Sequence, residues 1–392
     1  MRLVRSVFAL LVALILGLAS EKSHACPFCS APGRTLSEQL QQADAALLVR
    51  VVSREQPNLA EKTTGRTVYE VIRDLRDADA TNKPGDRIAL SRFDETPAGT
   101  DRILLLGSKT IPGDWAPPVP ITEAGIEYLS KMPSPEAEVT ERLRYFVRFL
   151  ESPNELIAQD AFGEFANADY KHIAAIAESF DAATVRGWIA SPKTNTSRLA
   201  LYGLLLGLSG DADDAEFLKG RIVQRSEQVQ LGTEGLISGY LLLARDEGLA
   251  VVERTKLQNK ACDRVEAYAA MQAVEFMWTY GAGAIGKDRL RAAMRTLLDR
   301  PALAELVIVD LGRWSDWSVS DRLMQLYSDA AYEDSRIKRA IVRYYLTAEI
   351  SAKDSKANPP DHVVKARSHL ATLRKRDPET VTSAEESYYF NF

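Results

Sequence analysis

The chain has 392 residues, with 49 Lys and Arg against 54 Asp and Glu, a net charge of −5, and 46% hydrophobic and 26% charged residues. That balance is a globular chain's, long enough for two domains or for one domain followed by a repeat array. It holds no basic excess with which to neutralise phosphates, which argues against a nucleic-acid partner.

Residues 1–25, MRLVRSVFALLVALILGLASEKSHA, place Arg2 and Arg5 ahead of an apolar run from Val7 to Ala19, then a short polar stretch ending Ser23-His24-Ala25. This is the layout of a secretory signal, with small residues at both positions read before cleavage. The run stops at Glu21-Lys22, short of the roughly 20 apolar residues that a membrane-crossing helix needs. An exported protein, periplasmic or extracellular, is therefore expected, with no transmembrane segment once residues 1–25 are gone. Cleavage after Ala25 would make Cys26 the first residue, which opens a second possibility, acylation of that cysteine and a lipid anchor. Only Ala25 matches the bacterial lipobox (Leu-Ala/Ser-Gly/Ala-Cys), so simple export is the better reading.

Cys26-Pro27-Phe28-Cys29 follows directly, and Cys262 is the third cysteine. The Cys-x-x-Cys spelling is that of a thiol-redox site, whose first thiol is made acidic by a helix N-terminus behind a strand. No strand precedes Cys26 after cleavage, so a local disulfide between Cys26 and Cys29 is expected before a redox or metal-linked role. Two cysteines supply half of the ligands of a structural zinc. His172, His362 and His369 are scattered, and the pair Asp361-His362 with His369 reads as surface. No metal, cofactor or catalytic residue is assigned.

A short polar helix, TLSEQLQQAD, is followed by four strand-like runs at 43–55, 65–75, 85–93 and 101–109, separated by Pro, Gly, Asn and Asp turn residues. Residues 26–110 are thus expected to form a small antiparallel β-barrel. The N-terminal cysteine pair followed by ADAALLVRVV, GRTVYEVIRDL, KPGDRIAL and DRILLLG resembles the ordering of TIMP- and netrin-like modules. The resemblance implies an OB-like barrel. It departs from that family in having Cys-x-x-Cys for Cys-x-Cys and no further cysteine in the domain.

Residues 111–135 begin with the proline-dense IPGDWAPPVP, which cannot be a helix interior, and continue into a short helix, ITEAGIEYLSKM, starting at Thr122. From 136 to 376 the period turns helical. Anchors DAFGEFA (160–166), ALYGLLLG (200–207), SGYLLLA (238–244), QAVEFMW (272–278), VDLGRW (309–314) and RAIVRYY (339–345) recur with amphipathic stretches between them. Their spacing, roughly thirty to forty residues, is that of helical-hairpin repeats. A two-helix unit exposes an apolar face that the next unit covers, and the pattern resembles HEAT or armadillo repeats, which implies an α-solenoid. A non-repeating bundle is the alternative.

Trp314 and Trp317, with Asp316 between them, could form a binding platform, although aromatics at a hairpin turn more often seal repeats together. Gly281 to Gly286 spells Gly-x-Gly-x-x-Gly but follows a helix, so a loop suffices. Asn195-Thr196-Ser197 is a glycosylation sequon only in an organism that uses it. The tail, 377–392, reads as an acidic, partly disordered lead-in to aromatics that dock back on the last helix or on a partner. The fold class expected is multidomain, an OB-like antiparallel barrel followed by an all-α HEAT-like solenoid. The function expected is non-enzymatic binding of a protein or peptide partner, a Cys26/Cys29 redox factor or an anchored assembly factor being the alternatives.

Overall fold

The computed structural model describes residues 26–29, 33–58, 60, 62–77, 82–96, 102–108, 114–224, 231–352 and 358–389. The expected signal segment and the terminal Phe392 lie outside them. The chain divides into two compact units, Met1–Ser179 and Phe180–Phe392.

The first unit opens with α1 (Leu36–Gln42), whose Thr35 hydroxyl accepts from the Glu38 backbone N–H while the Glu38 carboxylate takes the Thr35 N–H. A reciprocal cap of this kind is worth about 1 kcal/mol. Five antiparallel strands follow, β1 (Ala45–Glu55), β2 (Arg66–Asp77), β3 (Arg87–Leu90), β4 (Ile103–Gly107) and β5 (Val119–Pro120), in the spatial order β3-β2-β1-β4-β5. β1 lies between β2 and β4, and residues 45–49 are buried on both of its faces. Three register shifts between β1 and β2 explain why the alternation in GRTVYEVIRDL is imperfect, since each bulge re-aims the side chains beyond it.

The barrel expectation is corrected here. The sheet is five-stranded and open, because its edge strands, of four and two residues, are too short to pair with each other around a closed circuit. A side chain does part of that work: the Arg92 guanidinium, just past β3, donates to the carbonyls of Trp115 and Ala116, just before β5. One face of the sheet gathers Leu47, Val49, Tyr69, Val71, Ile103 and Leu105. The other packs Ala46, Leu48, Leu104 and Leu106 against Ile121, Ile126 and Leu156.

The helices α2 (Glu123–Lys131), α3 (Val139–Phe146), α4 (Glu155–Ala166) and α5 (Tyr170–Ala174) complete this unit. Thr122 caps α2. Asp160 of α4, 6% exposed, accepts from the Leu36 N–H at 2.5 Å and from the Tyr128 hydroxyl at 2.7 Å. That buried carboxylate ties α1 and α2 to α4, so the compact division falls at Ser179/Phe180, inside the stretch assigned above to the helical array.

The second unit is helical throughout its described residues: α6 (Ala182–Ala190), α7 (Leu199–Ser209), α8 (Ala212–Val223), α9 (Thr233–Val252), α10 (Arg264–Tyr280), α11 (Lys287–Thr296), α12 (Pro301–Arg313), α13 (Ser320–Tyr327), α14 (Ser335–Ile350), α15 (Asp361–Arg376) and α16 (Pro378–Tyr389). Five of the six anchors fall on α7, α9, α10, α12 and α14. These pack α7 on α9, α9 on α10, and α12 on α14. The helices between them bury a narrower stripe, for example Leu290, Ala293 and Met294 of α11. Residues of positive φ mark three turns: Arg245, where α9 kinks, then Ala282 and Ser315, thirty-seven and thirty-three residues further on in succession.

Buried carboxylates recur with guanidinium partners from another element: Glu164 with Arg142 in the first unit, then Asp214 with Arg186, Glu253 with Arg289 and Asp316 with Arg295. Such pairs add little net stability against apolar packing, but breaking one leaves a buried charge. The tail expected to be partly disordered is instead α16, which packs on α14 and α15 and buries Val381, Ala384 and Tyr388, one stripe of a helix. No helix of the described residues is long and apolar enough to cross a membrane.

Candidate functional site

Cys26 and Cys29 form a disulfide, Sγ to Sγ 2.05 Å, closed over a turn in which the Cys29 N–H donates to the Cys26 carbonyl at 3.2 Å. Cys26 is buried and Cys29 half-buried. Neither stands at a helix N-terminus, since α1 opens at Leu36, so the dipole that acidifies a redox thiol is missing. Cys262 is a buried free thiol pushed up to about 11 by burial and by the nearby Glu266 carboxylate.

Trp314 and Trp317 do not make an open platform. Trp314 is 6% exposed and stacks on Trp278 at 4.3 Å with the rings 10° from parallel. The outer face of Trp278 is covered by the cations Lys287, at 4.7 Å, and Arg291, at 5.2 Å. Trp317 lies against His362 at 5.4 Å and edge-on to Tyr344 at 5.3 Å. His362 is thereby packed under a Trp, and His369 contacts Asp321 at 3.2 Å. No group of three or more His, Cys, Asp or Glu among the described residues is placed to hold a metal.

Beside the Trp turn is a recess of about 360 Å³ lined by Leu257, Gln258, Lys260, Arg295, Thr296, Asp299, Arg300 and Arg322. Three elements build it. The chain after α9 ends in a widened turn, Glu253–Leu257, whose free carbonyls need donors. Arg300, just ahead of α12, supplies them: Nε to Leu257 O at 3.2 Å, Nη1 to Cys262 O at 3.0 Å, and Nη2 to Lys256 O at 3.1 Å and to Asn259 O. A cation at the negative end of a helix is favourable there. Among the described residues it forms no ion pair.

Arg295 of α11 grips Asp316 with two bonds, Nε to Oδ2 at 2.6 Å and Nη2 to Oδ1 at 2.9 Å. Asp316 is 3% exposed and also takes the Ser318 hydroxyl at 2.6 Å. Arg322 of α13 reaches Asp299 and donates to the Arg295 carbonyl at 3.3 Å. Lys260 is exposed at the rim and, among the described residues, in no ion pair. Four cationic side chains thus face two carboxylates, one of them buried and fully paired. The recess is positive on a chain whose net charge is negative.

None of the four cations was singled out from sequence. Arg295, Arg300 and Arg322 fall among charges that read as a solvated face. For Arg300 a signal was present in its position before Pro301, where a helix starts.

Together these features define a class: a two-unit protein with an open antiparallel sheet followed by a helical array carrying a cationic recess. No family model matches the chain, and neither a curated protein nor a solved structure shows detectable similarity to it.

Proposed function

We propose that this is an exported, non-enzymatic binding protein whose HEAT- or armadillo-like helical array recognises an acidic segment of a partner protein. The observation that supports this reading best is the recess at Lys260, Arg295, Arg300 and Arg322. Its volume suits one or two side chains, not a folded surface, and its positive charge exceeds that of the two carboxylates it faces, with Lys260 at the rim in no ion pair among the described residues. Stacked hairpins supply the extended flank along which the rest of a peptide would lie.

The test uses the full chain and a fluorescent Glu-rich peptide, with a Lys-rich peptide of equal length as control. Binding of the Glu-rich probe should weaken steeply between 50 and 300 mM salt, as roughly expected when the Debye length falls, and the doubly reversed variant Lys260→Glu with Arg322→Glu should lose at least about tenfold in affinity. Equal binding of both peptides, or an unchanged variant, would overturn the assignment. Arg300 and Arg295 are unsuitable targets because their loss would leave the carbonyls after α9 and the buried Asp316 carboxylate unpaired.

A further inference from the structure

We propose that removal of residues 1–25 creates a structural charge: the α-amino group of Cys26, docked on the C-terminal end of α4. The inference rests on the export reading for the cleavage itself, and on the structure for what the new terminus meets.

The backbone nitrogen of Cys26 lies 3.2 Å from the carbonyl oxygen of Ala166, and Ala166 is the last residue of α4. Carbonyls of a last helical turn lack intrahelical donors and carry the negative end of the dipole. A Lys or Arg near that end is favourable, but α4 has no basic residue in its last turn. Cys26 itself is 4% exposed, and the disulfide to Cys29 closes a small ring that holds it in place. Ten residues further along, the Leu36 N–H is held by Asp160 of the same helix. The segment from Cys26 to Leu36 is therefore pinned to α4 at both ends.

The same end of α4 also carries ionisable side chains from neighbouring elements. A cavity of about 200 Å³ opens at this end of α4, with Glu38 from α1, Arg142 from α3, Glu164 from α4 itself, and Asp169 and His172 beyond it as its ionisable walls. Glu164, 6% exposed, takes the Arg142 guanidinium through Oε2, and the Thr35 hydroxyl also acts on it. Its buried Oε1 has no hydrogen bond of its own. Burial raises the pKa of Glu164 and likewise that of Asp160. An amide contributes one donor and no charge. The ammonium made by cleavage contributes three donors and a full charge at the end of a helix whose own last turn has no basic residue.

Two consequences follow. Processing stabilises the first unit, so the cut chain is more stable than any form extended ahead of Cys26. The Cys26 sulfur, engaged in the disulfide, is closed to the thioether bond of a lipid anchor, so the mature terminus is a free amine.

The experiment has two arms. Intact mass of the exported protein should match a chain beginning at Cys26, oxidised and without acyl mass; another first residue, or a diacylglycerol adduct, overturns the export reading beneath the proposal. With the Cys26 terminus in hand, amine-selective acylation at pH 7 should label the α-amine at least about tenfold more slowly in the folded protein than in urea, one pKa unit's worth of protection. A variant carrying Ser-Ala ahead of Cys26 should unfold at lower urea. The gap should be full below pH 8, near the ordinary α-amine value, and vanish as pH rises through the higher pKa of the docked amine. Equal labelling in folded and unfolded protein overturns the docking, and so does a gap that stays constant with pH, which would report steric cost alone.

Discussion

Glu275 of α10 and Asp310 of α12 present their carboxyl groups to each other, with Arg313 as the opposing cation. Burial, and then the hydrogen bond and charge of Asp310, push Glu275 up to about 9, so at neutral pH the pair shares a proton. The folded pKa lies above the ordinary carboxylate value, so this group's contribution to stability is complete below about pH 4.5 and drains away as pH rises through about 9. Glu275→Gln keeps a donor toward Asp310 without a proton to lose. It should raise stability at pH 8 by roughly 1–2 kcal/mol, less than the full linkage value because water reaches the half-buried Glu275. Urea midpoints of wild type and variant should meet near pH 4.5 and separate above it; parallel profiles would refute the shared proton. Neither residue stood out in a chain with 54 acidic side chains. A carboxylate becomes unusual only through its neighbours, and these two lie thirty-five positions apart in sequence. Trp314 was conspicuous by its chemistry, yet the residue that stacks on it, Trp278, comes from a different hairpin.

Among the elements, the pairing of α7 with α9 sets the tightest tolerance. Gly203 and Gly207 of α7 meet Gly235 and Gly239 of α9 so closely that a methyl on Gly239 would stand 1.9 Å from the Gly203 carbonyl oxygen. Both partners there are backbone and cannot rotate aside. Gly239→Ala should therefore cost about 3 kcal/mol, at the top of the overpacking range, or prevent folding. Gly220→Ala on α8, where the added methyl meets nothing within 4 Å, should stabilise by about 0.5–1 kcal/mol through helix propensity. Thermal melts of the two variants should move in opposite directions; a shared direction would place the seam elsewhere. The anchors ALYGLLLG and SGYLLLA were legible as buried helices from their composition. Their glycines were legible only as poor helix formers, because close approach is a property of the pair. The tail shows the reverse case: Val381, Ala384 and Tyr388 keep a helical stripe in DPETVTSAEESYY, but the acidic residues around them outweighed it until α14 and α15 were seen to cover it.

At the scale of the molecule, the division at Ser179/Phe180 carries its own test. Cutting the chain at 135/136, where the proline-rich hinge ends, would separate Asp160 from Leu36 and Tyr128, and Ala166 from Cys26. Residues 180–392 expressed alone should give a monomeric, cooperatively melting helical protein, whereas residues 136–392 should carry an uncovered α4 face and associate on a sizing column. Equal behaviour of the two fragments would show that the buried Asp160 network does not govern the boundary. By itself, the amino-acid order determined the succession of a β-rich part and a helical part, since hydrophobic period and turn chemistry are local properties that each segment carries with it. It also marked the cysteine pair that the fold joins. The open edge of the sheet, the assignment of three helices to the first unit, the burial of Trp314 and the gathering of Lys260, Arg295, Arg300 and Arg322 were decided by tertiary structure. Each depends on which side chains from distant segments share a volume, and no periodicity along the chain encodes that.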